Sequence, residues 1–232
     1  MNSLLLSIFL LGLARRAHGA QSVAATDALV AWTGRFAALP DGASVACDWA
    51  STAATLAIAG GAAGDATLTV RTAATFEPAY AGRLDVYINY FHATSVLVPA
   101  GAHAFLVAAA LPANAVSNVS LVFNMEAVLS HASPGAVMVF SGFDVGGGGS
   151  LVAPPRQQRR IDVIGDSISA GADYDRMESV TKPGSGAFSL GGHCAPWCPL
   201  YGYSQSGTWE SWLGRFFDAN MTTTAWSGKQ VP

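Results

Sequence analysis

The sequence predicts a multidomain protein in which an all-β sandwich or jelly roll is followed by an incomplete α/β domain. Two observations lead to this prediction. Short runs of β-branched and aromatic residues recur between turn residues as far as residue 153, and a strand–turn–helix pattern begins at residue 159. The chain has 232 residues, half of them apolar, which suffices for one large domain or two small ones.

Residues 1–19 have the pattern of a secretory signal peptide. Residues 4–13 form an apolar core of suitable length, and small residues follow at the positions that a signal peptidase reads. Arg15 and Arg16 come after this core, so the segment is not a twin-arginine signal. A membrane anchor is the alternative, although the run is too short to span a bilayer. We therefore expect a secreted protein with no membrane association once the signal is removed.

Residues 23–155 are predicted to form the all-β domain. The clearest alternation of apolar and polar residues runs from Leu84 to Asn89. Regularly spaced short strands of this kind are typical of a sandwich or jelly roll. The predicted strands are residues 68–71, 84–91, 94–98, 103–107, 119–123 and 137–143.

The end of this domain is marked by glycine and proline. Residues 146–150 are four glycines and a serine, which form either a flexible linker or a turn before a last strand at residues 151–153. We prefer the turn. Residues 154–158 are a polar, proline-rich connection that disfavours helix and marks the domain boundary.

The segment that follows contains the strongest candidate for catalysis. Residues 161–164 include three apolar β-branched residues, which predicts a short buried strand of a parallel sheet. Residues 165–167 break the strand, and a helix can start there. Ser167 would then lie at the carboxyl end of a strand, beside the unpaired N–H groups of a helix start, which can stabilise an oxyanion. The alternative is an ordinary turn with a helix cap.

Further elements are predicted after Ser167. Residues 173–203 form a long loop whose aromatic residues either shape a substrate cleft or pack the loop onto the domain. Residues 206–220 are predicted to be a helix, and residues 222–226 a second strand. The apolar stripe of the helix is predicted to be core and comprises Trp209, Trp212, Leu213, Phe216 and Phe217.

The three cysteines allow one local disulfide. Cys194 and Cys198 are close enough in sequence to pair, which leaves Cys47 free or paired elsewhere. A metal site would need His193, both thiolates and a fourth ligand, and no second ligand pair is visible, so we expect no metal. Asn118 and Asn220 lie in N-glycosylation tripeptides.

Two blocks of the α/β segment resemble the SGNH (GDSL-type) hydrolases. Ile-Asp-Val-Ile-Gly-Asp-Ser-Ile-Ser-Ala-Gly at residues 161–171 is similar to their first block, and the Ser-Gly pair ending at Gly228 is similar to their second. The resemblance implies a flavodoxin-like three-layer domain, here partial, over residues 159–232. It also implies that Ser167 is the nucleophile, that Gly228 contributes an N–H to the oxyanion hole, and that Asp166 supports the serine loop. Gln230 departs from the family's usual glycine.

The pairing with a sandwich resembles carbohydrate esterase family 2. The likeness rests on residues 32–36, residues 47–49 and the proline-rich link to the serine block. Members of that family pair a jelly roll with an SGNH domain and remove acetyl groups from polysaccharides such as xylan and glucomannan. The resemblance implies a secreted acetyl esterase that acts on an acetylated polysaccharide or oligosaccharide without a cofactor. The net charge of −3, without a basic stripe, makes nucleic acid an unsuitable partner, and we expect a monomer.

The general base is absent from the expected place. SGNH enzymes carry a histidine near the domain's C-terminus, but this sequence stops at Pro232, directly after the second block. Of its histidines only His193 is near Ser167 in sequence, and it is a weak candidate. We expect a fragment of a larger esterase that is inactive alone. The alternatives are a non-catalytic carbohydrate-binding jelly-roll protein with a vestigial esterase remnant, and an SGNH esterase or lipase acting on another ester.

Overall fold

The computed structural model of the chain describes residues 20–49, 51–62, 64–75, 81–124, 137–157, 159–165 and 209–225. The predicted signal peptide lies outside these residues, as do Asp166, Ser167 and Gly228.

Two antiparallel sheets, each with six described strands, form the N-terminal part of the chain. The first sheet has the order β3-β4-β11-β6-β9, and β1 also pairs with β11. The second sheet has the order β12-β5-β10-β7-β8, and β2 also pairs with β5. The strands are β1 (Gln21–Val23), β2 (Val30–Thr33), β3 (Ala37–Ala38), β4 (Val45–Cys47), β5 (Ala53–Ala59), β6 (Ala66–Ala74), β7 (Ala81–Ile88), β8 (Phe91–Pro99), β9 (Gly101–Leu111), β10 (Val116–Phe123), β11 (Met138–Gly146) and β12 (Ser150–Val152).

The two sheets share one hydrophobic core. Side chains alternate along each strand, so every second residue points into the space between the sheets. In β6 the buried positions are the alternate residues from Ala66 to Ala74. The largest fully buried side chains come from both sheets and include Leu56, Leu121, Phe123, Phe140 and Phe143. Burial of each such side chain contributes roughly 1.5–3 kcal/mol.

The six predicted strands are all present as β6 to β11, and one of them needed correction. The segment predicted as residues 84–91 is a hairpin: β7 ends at Ile88 and β8 begins at Phe91. Asn89 and Tyr90 connect them with φ angles of 49° and 72°. Two consecutive left-handed residues form the tight turn that suits the twist of a hairpin. Tyr90 is aromatic and therefore favours a strand, so the sequence pattern predicted a continuous strand instead of this turn.

The sequence analysis did not predict β5, which is a central strand of the second sheet. It pairs with β10 along its whole length, and with β2 and β12 on its other side. Four of its seven residues are alanine, a residue with low strand propensity. Leu56 and Ile58 nevertheless bury their side chains completely, and this burial outweighs the weak local preference.

The glycine-rich segment is a turn, as preferred above. β11 ends at Gly146 and β12 begins at Ser150, so the chain passes here from the first sheet to the second. Gly147 has a φ of 63°, and a Cβ atom at this position would collide with the carbonyl oxygen of Asp65. The turn therefore requires glycine at this residue.

A small parallel α/β unit follows the proline-rich link. Its described elements are β13 (Arg159–Gly165), helix α1 (Trp209–Phe216) and β14 (Ala219–Ala225). The two strands pair in parallel, as predicted. The helix ends earlier than predicted because Asp218 adopts a left-handed φ of 47°, which stops the helix before the strand begins at Ala219.

The predicted burial is wrong for Ile164 of β13 and for the described side chains of the helix stripe, whereas Ile161 and Val163 are half-buried. Ile164 of β13 is 74% exposed, and Phe216 is 82% exposed; Leu213 and Phe217 are also exposed. The opposite face of α1, which holds Ser211 and Gly214, is buried instead. Among the described residues, two parallel strands and one helix present too little surface to bury both faces of a sheet. The side chains of Trp209 and Trp212 lie outside the described part, and no helix in that part is long and apolar enough to cross a membrane.

Phe123→Ala should lower the free energy of unfolding by about 3–5 kcal/mol, because it opens a cavity in the shared core. Phe91→Ala removes the same ring from a side chain that is 79% exposed, and its effect should stay within about 0.5 kcal/mol. Urea denaturation of both variants measures the difference. Equal losses in the two variants would show that Phe123 is not part of a packed core.

Candidate functional site

The carboxyl ends of β13 and β14 meet at one edge of the parallel pair. Their register runs from Arg159 opposite Ala219 to Gly165 opposite Ala225. In sequence, Ser167 follows Gly165 by two residues and Gly228 follows Ala225 by three. The structure thus brings together the two strand ends that precede the predicted nucleophile and the predicted oxyanion-hole glycine.

The predicted catalytic residues themselves lie outside the part of the chain that the structure describes. They are Asp166, Ser167 and Gly228, and both cysteines of the predicted disulfide, Cys194 and Cys198, also lie outside it. Their roles stay predictions. No group of three potential metal ligands occurs among the residues that the structure describes.

Cys47 is buried and free. Burial, with a smaller contribution from the charge of Asp48, raises the pKa of its thiol well above the usual range. A buried thiol that stays protonated is a poor nucleophile and a poor metal ligand, so Cys47 serves as core.

The sandwich residues that carry the family resemblance form one cluster. Trp32 packs edge-on against Phe140 and at a tilt against Phe36, with ring centroids 5.1 and 5.5 Å away. Arg35 lies over the ring of Trp49, 5.3 Å from its centroid, and pairs with Asp48 at 3.5 Å. These contacts attach the loop after β2 to the core.

The two histidines described in the sandwich make contacts within it. His92 Nε2 lies 3.1 Å from Ser95 Oγ, and its ring meets Tyr87 edge-on. His103 Nε2 lies 2.9 Å from the carbonyl oxygen of Ala100. Both belong to sheet strands and neither lies on β13, α1 or β14.

The predicted glycosylation residues lie within strands. Asn118 is half-buried in β10; its N–H donates to Asn89 Oδ1 at 2.9 Å, and its own Oδ1 is buried. Asn220 is half-buried in β14, and its Oδ1 is buried too. Such surroundings are unfavourable for a bulky surface glycan. Glycosylation at either residue remains a prediction.

A buried carboxylate that the sequence analysis missed lies on the outer face of the second sheet. Asp85 is 1% exposed and accepts hydrogen bonds from Arg83 Nε at 2.7 Å, Ser95 Oγ at 2.6 Å and Asn124 Nδ2 at 2.7 Å. These bonds connect β7, β8 and the end of β10. Because this buried carboxylate is bonded from three sides, it stabilises the sheet only while its partners are present.

The α/β unit is held against the second sheet by side chains of α1 and its C-terminal turn. Tyr90 Oη donates to Asp218 Oδ1 at 2.7 Å, and Gln157 Nε2 donates to the same oxygen at 3.4 Å. The guanidinium of Arg215 stacks on the ring of Tyr87, 4.8 Å from its centroid. These contacts join the hairpin of β7 and β8 to the end of α1.

The contact with Asp218 changes the acidity of Tyr90. Three causes together raise the pKa of Tyr90 from 10.0 to about 12. The largest is the hydrogen bond to Asp218, and burial and the negative charge of Asp218 make smaller contributions. The phenol therefore remains a hydrogen-bond donor throughout the neutral range.

Asp85→Ala should destabilise the protein by about 3–5 kcal/mol, because it removes the buried acceptor that Arg83 Nε, Ser95 Oγ and Asn124 Nδ2 share. Asp162→Ala is the matched control. It breaks an ion pair with Arg160 whose side chains are 57% and 68% exposed, and should cost less than about 1 kcal/mol. Urea denaturation compares them, and a loss under about 1 kcal/mol for Asp85→Ala would contradict this account.

The Tyr90 contact should weaken only in strong base. Below pH 10 the phenol is protonated in both the folded and the unfolded chain, so its contribution is complete; it is lost as the pH rises through about 12. The tyrosinate absorbance of the wild type minus that of Tyr90→Phe should titrate with a midpoint of about 12. Asp218→Asn should return the midpoint towards 10.0, and a wild-type midpoint already near that value would refute the assignment.

Solved structures share this fold. No family model matches the chain, and no curated protein does. An acetyl xylan esterase from the rumen bacterium Butyrivibrio proteoclasticus matches with a TM-score of 0.69 and 15% identity, covering 90% of this chain and 49% of its own. A family two carbohydrate esterase from Clostridium thermocellum, solved in complex with cellohexaose, matches with 0.63 and 20%, covering 86% and 51%. A salicylyl-acyltransferase from a tetracycline biosynthetic pathway matches with 0.57 and 17%, covering 90% and 55%.

These matches define what the chain shares with them. At 15–20% identity the likeness shows the fold alone. The chain spans about half the length of the solved structures that it matches. Over most of its own length, this chain therefore shares the fold of about half of each of these solved structures, two of which are carbohydrate esterases.

Proposed function

We propose that this chain is part of a secreted carbohydrate O-acetyl esterase whose nucleophile is Ser167. The observation that carries the proposal is the parallel register of β13 and β14, which sets Gly165 opposite Ala225. In sequence, the Asp-Ser pair of the first SGNH-like block follows one of these strand ends, and the Ser-Gly pair of the second block follows the other. The carboxyl edge of a parallel sheet is where α/β proteins place their ligand sites.

The shared fold supports an acyl-transfer function. Two of the matched structures are carbohydrate esterases and the third is an acyltransferase, so each handles an acyl group. For this chain we propose acetylated polysaccharides or oligosaccharides, such as acetylated xylan or glucomannan, as substrates. The chemistry needs neither metal nor cofactor.

The proposed reaction runs through an acetyl-enzyme. Ser167 Oγ attacks the acetyl carbonyl carbon while a general base takes its proton. The N–H groups of Ser167 and Gly228 stabilise the negative oxygen of the tetrahedral intermediate. The intermediate then expels the sugar oxygen, which takes the proton from the base. Water attacks the acetyl-serine in the same way and releases acetate.

The general base is proposed to come from outside these 232 residues. His92 and His103 are engaged in the sandwich, as described above, and His18, His131 and His193 lie outside the described residues. General bases accelerate such steps roughly 10²–10⁴-fold, so the chain alone should hydrolyse esters very slowly.

Chemical rescue tests this proposal directly. With acetylated xylo-oligosaccharides as substrate, added imidazole should increase acetate release by the wild-type chain, because it can replace a missing histidine base. Ser167→Ala should show only the increase caused by direct hydrolysis by imidazole, which is then subtracted as background. An imidazole response that is identical in both proteins would exclude Ser167 as the nucleophile.

Two further measurements distinguish this proposal from the alternative functions. Rescue with an acyl ester of a non-carbohydrate alcohol, but not with the acetylated sugar, would favour an SGNH enzyme for another ester. Binding of xylan or glucomannan without any Ser167-dependent acetate release would favour the non-catalytic carbohydrate-binding protein.

A further inference from the structure

A cleft lies between the outer face of the second sheet and helix α1. Its volume is about 120 Å³. One enclosed water needs roughly 10–15 Å³ of cavity volume, so a cleft of this size can hold several waters or one sugar ring. Its lining includes Thr55, Ser120 and Tyr87 of the sheet and Arg215, Ala219 and Met221 of the α/β unit.

The floor of the cleft is built from two neighbouring rows of the second sheet. In one row Ser120 lies opposite Thr55 on β5 and opposite Tyr87 on β7. In the other row Ala53 lies opposite Thr33 on β2 and opposite Val122 on β10. Strand residues two apart point to the same face, so both rows face α1 while their neighbours enter the core. The floor is therefore rigid and is held by the whole sheet.

The hydroxyl groups of this floor retain hydrogen-bonding capacity. Thr55 Oγ1 and Ser120 Oγ lie 2.9 Å apart and share one hydrogen bond. Because each hydroxyl has one donor and two acceptor positions, this pair can still donate once and accept more than once. The two groups thus present a donor and acceptors side by side.

Ser51 adds a buried hydroxyl that lacks a partner. The residue is 8% exposed, and its Oγ has no hydrogen-bond partner among the residues that the structure describes. Its backbone is held at a left-handed φ of 64°, and its N–H donates to the carbonyl oxygen of Phe123 at 2.9 Å. An unpaired buried hydroxyl destabilises the fold unless something in the cleft bonds to it.

The charged groups around the cleft already contact other residues of the protein. Arg215 is the charged residue of the lining, and its guanidinium stacks on Tyr87. Asp218 nearby accepts from Tyr90 and Gln157. Ala53, Val122 and Met221 add apolar surface between the hydroxyls. A ligand suited to this lining is neutral, carries several hydroxyls and has an apolar ring face.

We propose that this cleft binds a neutral sugar ring. It is separate from the predicted catalytic edge: it is lined by Ala219 and Met221 near the start of β14, whereas the carboxyl end of that strand is at Ala225. At about 3.3 Å per residue, Ala225 lies about 20 Å from Ala219. The inference rests on the lining alone and does not depend on the proposed esterase activity.

The test is a titration of the whole 232-residue chain with D-glucose, D-xylose and D-mannose, in which saturation-transfer NMR measures binding. Ser51→Gly removes the unpaired hydroxyl at a position where glycine relieves backbone strain, so folding should be unharmed. The double variant Thr55→Val, Ser120→Ala removes the hydroxyl pair. Each should bind about tenfold more weakly than the wild type.

Thr69→Val is the matched control, since it removes a half-buried hydroxyl from the first sheet, away from the cleft, and should bind like the wild type. Equal affinity of the wild type and both cleft variants would place the sugar elsewhere and overturn the proposal. Lack of saturable binding by the wild type at concentrations far above millimolar would show that the cleft holds solvent only, and would overturn it too. Acetate release is measured separately, so failure of the esterase proposal is recognised independently.

Discussion

The strict alternation of side chains in the second sheet is the constraint on which the rest of the structure depends. One face of β5, β10 and β7 buries residues such as Leu56, Leu121 and Val86 in the core. The other face carries Thr55, Ser120 and Tyr87 in one row. A shift of one residue in the register would exchange the two faces, so the packing of the sandwich also fixes what the α/β unit meets.

The described part of the α/β unit packs against the sandwich. Its two described strands leave Ile164 exposed, and the aromatic residue Phe216 of α1 points away from the sheet. The attachment to the sandwich uses the opposite side of α1 and the turn after it, through Arg215 on Tyr87 and Asp218 with Tyr90. Polar and stacking contacts of this kind orient the unit but bury little apolar area.

The geometry separates two sites along β14. The proposed ester chemistry belongs to the carboxyl ends at Gly165 and Ala225, where two strands finish together. The hydroxyl-lined cleft lies at the other end, between α1 and the sandwich. A catalytic serine needs a base and an oxyanion hole, whereas the cleft offers shape and hydrogen bonds. The two sites can therefore be tested, and can fail, independently.

Local patterns in the sequence determined the β-rich fold, the six longer strands, the turn at residues 146–150 and the parallel pair. Each depends on periodicity or on turn chemistry, which act between near neighbours. Tertiary structure decided the rest. The alanine-rich β5 is a strand because β10, β2 and β12 pair with it. The described apolar stripe of α1 is exposed because the sandwich contacts the other face of the helix. Asp85 and the cleft arise from residues far apart in sequence, whose meeting no local pattern encodes.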